Sequence, residues 1–142
     1  MKNSIINIMR KNIIDQSGVI PYFIKNNEIY IILITSMQTG NWTLPKGLIE
    51  NNMTAEESAI KEALEECGVI GELKNNFCEE YFYSKWSLNF KVKMYPLTIS
   101  EIFNDWEEKH LRKRSFFTLK EAINIIKIEQ KDILLKFEKY IN

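Results

Sequence analysis

Cysteine and histidine are scarce: the chain has two cysteines, Cys67 and Cys78, and one histidine, His110, in 142 residues. Neither cysteine lies in a C-x-x-C or similar spacing, so both are expected to be free thiols, and a zinc site has too few soft ligands. Net charge is absent as well. Nineteen Lys+Arg balance nineteen Asp+Glu, which removes the broad field on which non-specific nucleic-acid binding depends, so any polyanion must be held by a local site. Long apolar runs are missing too. The longest, Ile29 to Ile34, is far below the roughly 18–20 residues that cross a bilayer. Lys2, Arg10 and Lys11 interrupt the isoleucines of the first sixteen residues and no small-residue cleavage site follows, so no secretory leader is expected. These absences point to a cytoplasmic chain in a reducing compartment, with no membrane partner and nucleic acid disfavoured.

What is present suits a folded chain. Hydrophobic residues make up 45% and charged residues 27%, and the length fits one domain over residues 1–142. Residues 17–23 and 29–35 are rich in β-branched and aromatic side chains around Lys25-Asn26-Asn27-Glu28, which predicts a hairpin. The second segment lacks alternation, so its strand is expected to be buried on both faces. Residues 36–41 read as loop, and Pro45-Lys46-Gly47 as a bend. Thr54 and Glu57 form a capping box for a helix over residues 55–67, with Gly68 as its stop. Strands follow at 77–82 and 86–95, with Ser84-Lys85 as their turn and Pro96 ending the second. A short strand at 116–118, a second capping box at Thr118 and Glu121, and a terminal amphipathic helix over about 132–140 complete the chain. The class is α+β, or an α/β sandwich with a mixed sheet.

The helix over 55–67 carries the chemistry. At roughly 100° per residue, Glu62, Glu65 and Glu66 share one arc about 100° wide, and Ile60, Ala63, Leu64 and Cys67 lie opposite as the expected core face. Like charges at these spacings cost roughly 0.2–0.5 kcal/mol per pair unless a cation relieves them. Ala55, Ser58 and Ala59 are small enough to let the Pro45-Lys46-Gly47 bend pack close. A loop beside an acidic helix makes an oxygen-lined cage suited to Mg²⁺ or Mn²⁺.

These residues resemble the Nudix hydrolase signature G-x5-E-x7-R-E-U-x-E-E-x-G-U, with U aliphatic. Gly47, Glu62, Ala63, Glu65, Glu66, Gly68 and Val69 fall in register, while Met53 replaces the first Glu and Lys61 the Arg. Trp42-Thr43-Leu44-Pro45-Lys46-Gly47-Leu48-Ile49-Glu50 is similar to a W-x-L-P-K-G-x-x-E entry. Trp106-Glu107-Glu108 and Arg112 to Phe117 resemble the diphosphoinositol-polyphosphate and diadenosine-polyphosphate phosphohydrolase branch. The resemblance runs from Ser17 to about Ile126. It implies an α/β/α sandwich with a mixed sheet and a loop-helix-loop signature. It also implies divalent-metal hydrolysis of a pyrophosphate bond in a nucleoside diphosphate linked to another moiety.

In that reading Glu62, Glu65, Glu66 and the backbone near Gly47 hold Mg²⁺ or Mn²⁺. Glu65, Glu66 and Glu108 are the catalytic candidates, with Glu101 and Glu107 as rivals to Glu108. Lys46, Arg112 and Arg114 are candidates for binding substrate phosphate, within the basic run 109–114, and His110 for moving a proton. Tyr22, Trp42, Tyr83 and Trp86 are candidates either for stacking a base or for packing the core. The partner is a phosphorylated small molecule. Removal of a 5′ pyrophosphate from RNA and a non-catalytic nucleotide sensor are the alternatives.

Overall fold

The computed structural model of the chain describes residues 13–142. The expectation that the N-terminal segment carries no secretory leader falls on residues 1–12 and lies outside them. The strands are β1 (Ile13–Lys25), β2 (Glu28–Thr35), β3 (Trp42–Thr43), β4 (Lys46–Leu48), β5 (Val69–Leu73), β6 (Glu79–Lys85), β7 (Leu88–Ile102) and β8 (Arg114–Thr118). The helices are α1 (Ala55–Glu62), which runs on as a π-helical turn over Ala63–Cys67, then α2 (Leu119–Ile125) and α3 (Ile128–Ile141). All eight strands share one sheet ordered β3-β2-β1-β7-β5, with β4 on β1, β6 on β7 and β8 on β2. The sheet is mixed because β1 and β7 run parallel while the other pairs are antiparallel.

Local chemistry explains the turns. Asn26 and Asn27 have φ of 52° and 64°, the left-handed pair of a two-residue hairpin whose twist matches its strands, and asparagine tolerates it well. In the β6–β7 hairpin the left-handed residues are Trp86 and Ser87, at 53° and 62°, rather than the expected Ser84-Lys85. Nor does Pro96 end β7. Its carbonyl accepts from the Lys74 N–H at 2.8 Å, so its nitrogen faces the same edge, away from β1. On that edge β6 pairs as far as Met94 and β5 begins at Leu97. Proline sits in the gap between them, where a missing N–H costs no ladder bond.

The sheet is covered on both faces. On one, Ile20, Ile31, Leu33, Met94, Ile133, Leu134 and Phe137 pack the sheet against α2 and α3. On the other, Val19, Ile32, Ile34, Val69 and Leu97 meet Ala59, Ala63 and Cys67 of the α1 layer. Residues 31–35 are buried on both sides, as the unbroken apolar run predicts. Each large side chain fully withdrawn from water contributes about 1.5–3 kcal/mol. The result is the α/β/α sandwich. One expectation is corrected here: Ile60 and Leu64 are 39% and 43% exposed. Ala63 and Cys67 face the sheet as expected, joined by Ala59 in place of the two larger residues, and this small stripe brings α1 close enough for Glu66 to be buried on the same side.

Candidate active site

The site begins at the bend before β4. Ser17 pairs with Gly47 and Gly18 with Lys46, and the Val19 N–H donates to the Pro45 carbonyl at 3.1 Å. A Cβ on Gly18 would strike that carbonyl, and a Cβ on Gly47 would fall on the Glu62 carboxylate. Gly18 needs glycine because the obstacle is backbone, whereas at Gly47 an added methyl would displace only the end of the Glu62 side chain. The bend is fixed from behind by Gln130 of α3, which is fully buried. Its Oε1 accepts from Leu44 N at 2.8 Å and Thr43 Oγ1 at 3.1 Å, and its Nε2 donates to Tyr81 Oη at 2.8 Å.

Glu66 stands at the centre. It is 7% exposed, and its Oε1 accepts the Lys46 N–H at 2.9 Å while Oε2 accepts Arg112 Nη2 at 3.1 Å. Burial pushes its carboxyl up to about 8 despite Arg112. Glu62 is pushed up to about 7, by burial first and the neighbouring Glu65 charge second. Lys61 links Glu65 to Glu50 at 2.9 Å each, so this lysine makes carboxylate pairs at the signature position usually held by arginine. Met53 contacts Ser58 Oγ at 3.9 Å. Among the described residues, the three acids whose oxygens lie within 4.8 Å of one another are Glu65, Glu107 and Glu108. Glu108 therefore joins Glu65 in space, although more than forty positions separate them in the chain, while Glu62 and Glu66 lie outside this group of three.

A cavity of about 520 Å³ opens above Glu66. Its walls come from residues 36–46, from Tyr83 to Lys85, from Arg112 and from residues 127–129. Among the described residues four cations line it, Lys46, Lys85, Arg112 and Lys127, with the acids Glu66 and Glu129 between them. Lys46 Nζ donates to Tyr83 Oη at 3.1 Å, and burial lowers its pKa. Lys127 is lowered to about 8, by burial first and by Lys46 second. Cations that crowd and desolvate each other suit an anionic occupant. Lys85, Lys127 and Gln130 belong to no sequence motif; Lys85 ends β6 just before its turn, Lys127 and Gln130 stand at the start of α3, and only the packing of α3 and the β6–β7 hairpin brings them here.

The basic run 109–114 is divided by the fold. Arg112 points inward and bonds Glu66, Glu108 Oε1 at 3.0 Å and the Thr35 carbonyl at 3.1 Å. Arg114 donates from Nη1 to the Cys67 carbonyl at 2.8 Å, with its guanidinium 3.9 Å from the Trp106 ring centre. His110 and Lys113 are exposed, as are Glu101 and Glu107. Of the four candidate aromatics, Tyr83 lines the cavity. Tyr22 is buried against Phe137, Trp42 packs on Phe117, and Trp86 is 72% exposed at its turn. Both cysteines are free, Cys67 buried and Cys78 exposed. Among the described residues no helix is long and apolar enough to cross a membrane.

Comparison with known proteins agrees with this arrangement. Residues 17–137 match the NUDIX domain. Nudix hydrolase 21, chloroplastic, of Arabidopsis thaliana is 34% identical over 113 residues, covering 76% of this chain and 57% of that protein. The chain thus spans little more than half of that relative's length. Diphosphoinositol polyphosphate phosphohydrolase 3-beta of Bos taurus is 29% identical over 110 residues, covering 73% of this chain and 64% of that protein. Among solved structures, a C. elegans Ap4A hydrolase superposes with a TM-score of 0.78 at 22% identity, covering 92% of this chain and 99% of that one. With the signature bend, the acidic helix and the sandwich all in place, the chain belongs to the Nudix family.

Proposed function

We propose that the chain hydrolyses a pyrophosphate linkage in a phosphorylated small molecule, best a dinucleoside polyphosphate or related nucleotide, with Mg²⁺ or Mn²⁺ as cofactor. The observation that carries this reading is the junction of two opposite environments at Glu66: this buried carboxylate with half-buried glutamates beside it on one side, and a cavity lined by four cations on the other. The names of two relatives, a diphosphoinositol polyphosphate phosphohydrolase and an Ap4A hydrolase, support a substrate with a phosphate chain. The cytoplasm is the proposed setting, and two free thiols suit it.

The residues fit a hard divalent cation. The available donors are carboxylate oxygens and the backbone of the bend, and the missing Cβ of Gly47 leaves the Glu62 carboxylate seated against β4. Glu62, Glu65, Glu66 and the Gly47 backbone would hold the ion, which when bound supplies charge neutralisation and a more acidic water. The chain's own side chains do the rest. Lys46, Lys127 and Arg112 line the cavity where phosphate oxygens would sit and would fix the chain by charge-assisted bonds. Arg112 also holds Glu66 and Glu108 in place. Glu65 and Glu108, close in space, are the candidates for taking the proton of the attacking water.

The test is incubation of metal-loaded protein with dinucleoside polyphosphates, ADP-ribose, diphosphoinositol polyphosphates and 5′-triphosphorylated RNA, read as phosphate or pyrophosphate release. Release from nucleotides supports the proposal. Release from RNA alone favours the RNA reading, and nucleotide binding with no turnover of any of them favours a sensor.

Two outcomes follow from the geometry. Glu62 is flexible and can swing away from an added methyl, so Gly47→Ala should leave the melting temperature within a few degrees yet weaken Mn²⁺ binding about tenfold. Calorimetric titration reads this, and unchanged affinity would remove Glu62 from the ligand set. The second concerns pH. In the native metal-free protein Glu62 and Glu66 keep protons up to about 7 and about 8, whereas the unfolded chain releases them near 4.5. Between these values the unfolded state binds fewer protons, so this contribution to stability falls as pH rises. A divalent cation needs the deprotonated form, so the rise in melting temperature on adding Mg²⁺ should be larger at pH 8 than at pH 6. A shift independent of pH would count against these two ligands.

A further inference from the structure

The segment from Phe103 to Arg114 grips the end of the acidic helix more completely than a connecting loop requires. A helix leaves its last carbonyls without partners. Here the Glu65 carbonyl accepts from Glu108 N at 3.0 Å, the Glu66 carbonyl from Trp106 Nε1 at 3.1 Å, the Cys67 carbonyl from Arg114 Nη1 at 2.8 Å and the Gly68 carbonyl from Phe103 N at 2.8 Å. Four successive carbonyls are thus taken by one segment, two of them through side chains. Gly68 has φ of 69°, and a Cβ there would lie 2.8 Å from Trp106 Cγ and 2.9 Å from Arg114 Nη1. The glycine therefore serves two ends at once: it permits the left-handed stop and leaves room for the stacked indole and guanidinium. The same stretch supplies Arg112 to the Glu66 carboxylate at 3.1 Å. Glu66 is held by its backbone from one side and by its side chain from the other.

We propose that Trp106 and Arg114 are positioning residues that fix the π-helical turn through the Glu66 and Cys67 carbonyls, and so set the aim of the Glu65 and Glu66 carboxylates. Neither side chain lines the cavity among the described residues, so neither is placed to touch substrate. Widened turns of this kind recur at functional sites, and this one is held at its exit by side chains that arrive about forty residues later. Arg114 thereby leaves the phosphate-binding role suggested by its place in a basic run.

The kinetic arm of the test rests on the hydrolase reading; two other arms do not. Trp106→Phe keeps the ring under Arg114 and removes the one N–H. Arg114→Lys keeps the charge but loses the planar stack, and Arg114→Ala loses both. In the wild type, the indole proton that disappears from the spectrum of Trp106→Phe should be the one most slowly exchanged among the three tryptophans. Trp106→Phe should keep a melting temperature within a few degrees of wild type, weaken Mn²⁺ binding about fivefold, and lower kcat five- to tenfold with KM within twofold. Arg114→Ala should do more, and Arg114→Lys should fall between. A general loss of folding would change the melting temperature and KM with kcat, so this split separates aim from stability. Mn²⁺ affinity and kcat unchanged in both Trp106→Phe and Arg114→Ala would overturn the positioning role while leaving wild-type hydrolysis standing. A wild type that neither binds Mn²⁺ nor turns over any substrate would instead bring down the hydrolase reading, and the positioning role with it.

Discussion

Glu66→Gln is expected to lower kcat by about a thousandfold or more, equal to roughly 4 kcal/mol of barrier, while the melting temperature moves by only a few degrees. The difference arises because the two properties use different parts of the same group. Gln retains an oxygen to accept the Lys46 N–H, now at 2.9 Å, and the burial that raises the carboxyl pKa to about 8 no longer has a charge to desolvate. Arg112 loses one partner but keeps Glu108 and the Thr35 carbonyl. The neutral amide, however, is a poor ligand for a divalent ion and cannot oppose the cations of the cavity. Steady-state kinetics beside thermal unfolding measure both. A kcat within threefold of wild type would remove Glu66 from the chemistry.

Arg112→Ala should be the most destabilising single change in the site. The arginine side chain is 9% exposed and that of Glu66 10%, so the pair is sheltered enough for its loss to count. Its fork serves three acceptors in different directions: Glu108 through Nε, Thr35 through Nη1 and Glu66 through Nη2. Removing one partner of a buried pair costs about 3–5 kcal/mol, because the other charge stays behind unpaired. Glu66 has an escape, since it can take up a proton. The loss should therefore be smaller at pH 6 than at pH 8, the sign expected when a native carboxyl is pushed above its unfolded value. Arg112→Lys should recover only part, as a single ammonium cannot span the three acceptors. Urea unfolding at the two pH values reads the effect. A cost below about 1 kcal/mol at pH 8 would show that solvent replaces the guanidinium, and the central ion pair would then carry no weight in the fold.

Elements coded within a few residues were legible. The capping boxes at Thr54–Glu57 and Thr118–Glu121 form as the spacing predicts, because each bond closes within three residues. The hairpin at Asn26-Asn27 and the stop at Gly68 follow equally from local backbone preference. Where neighbours in space decide, the local signal misleads. Pro96 reads as a terminator, yet β7 passes through it because β5 and β6 happen to leave a gap there. Ile60 and Leu64 read as core by hydrophobicity, yet the sheet takes the small residues Ala59, Ala63 and Cys67, since only they let the helix approach.

For the site, the family signature was legible in the sequence alone: a glycine bend, three glutamates on one helix and the spacing between them all lie within 23 consecutive residues and need no long-range information. Tertiary structure decided what else faces that helix beyond the glycine bend. It drew Glu108 beside Glu65, turned Arg112 inward and Arg114 onto the helix end, and recruited Lys85, Lys127 and Gln130 from segments with no signature at all. The physical reason is that the cavity is made where chain segments up to about ninety residues apart converge. Which of their many lysines, arginines and glutamates arrive there depends on how the helices pack on the sheet, a property that no short stretch of residues encodes.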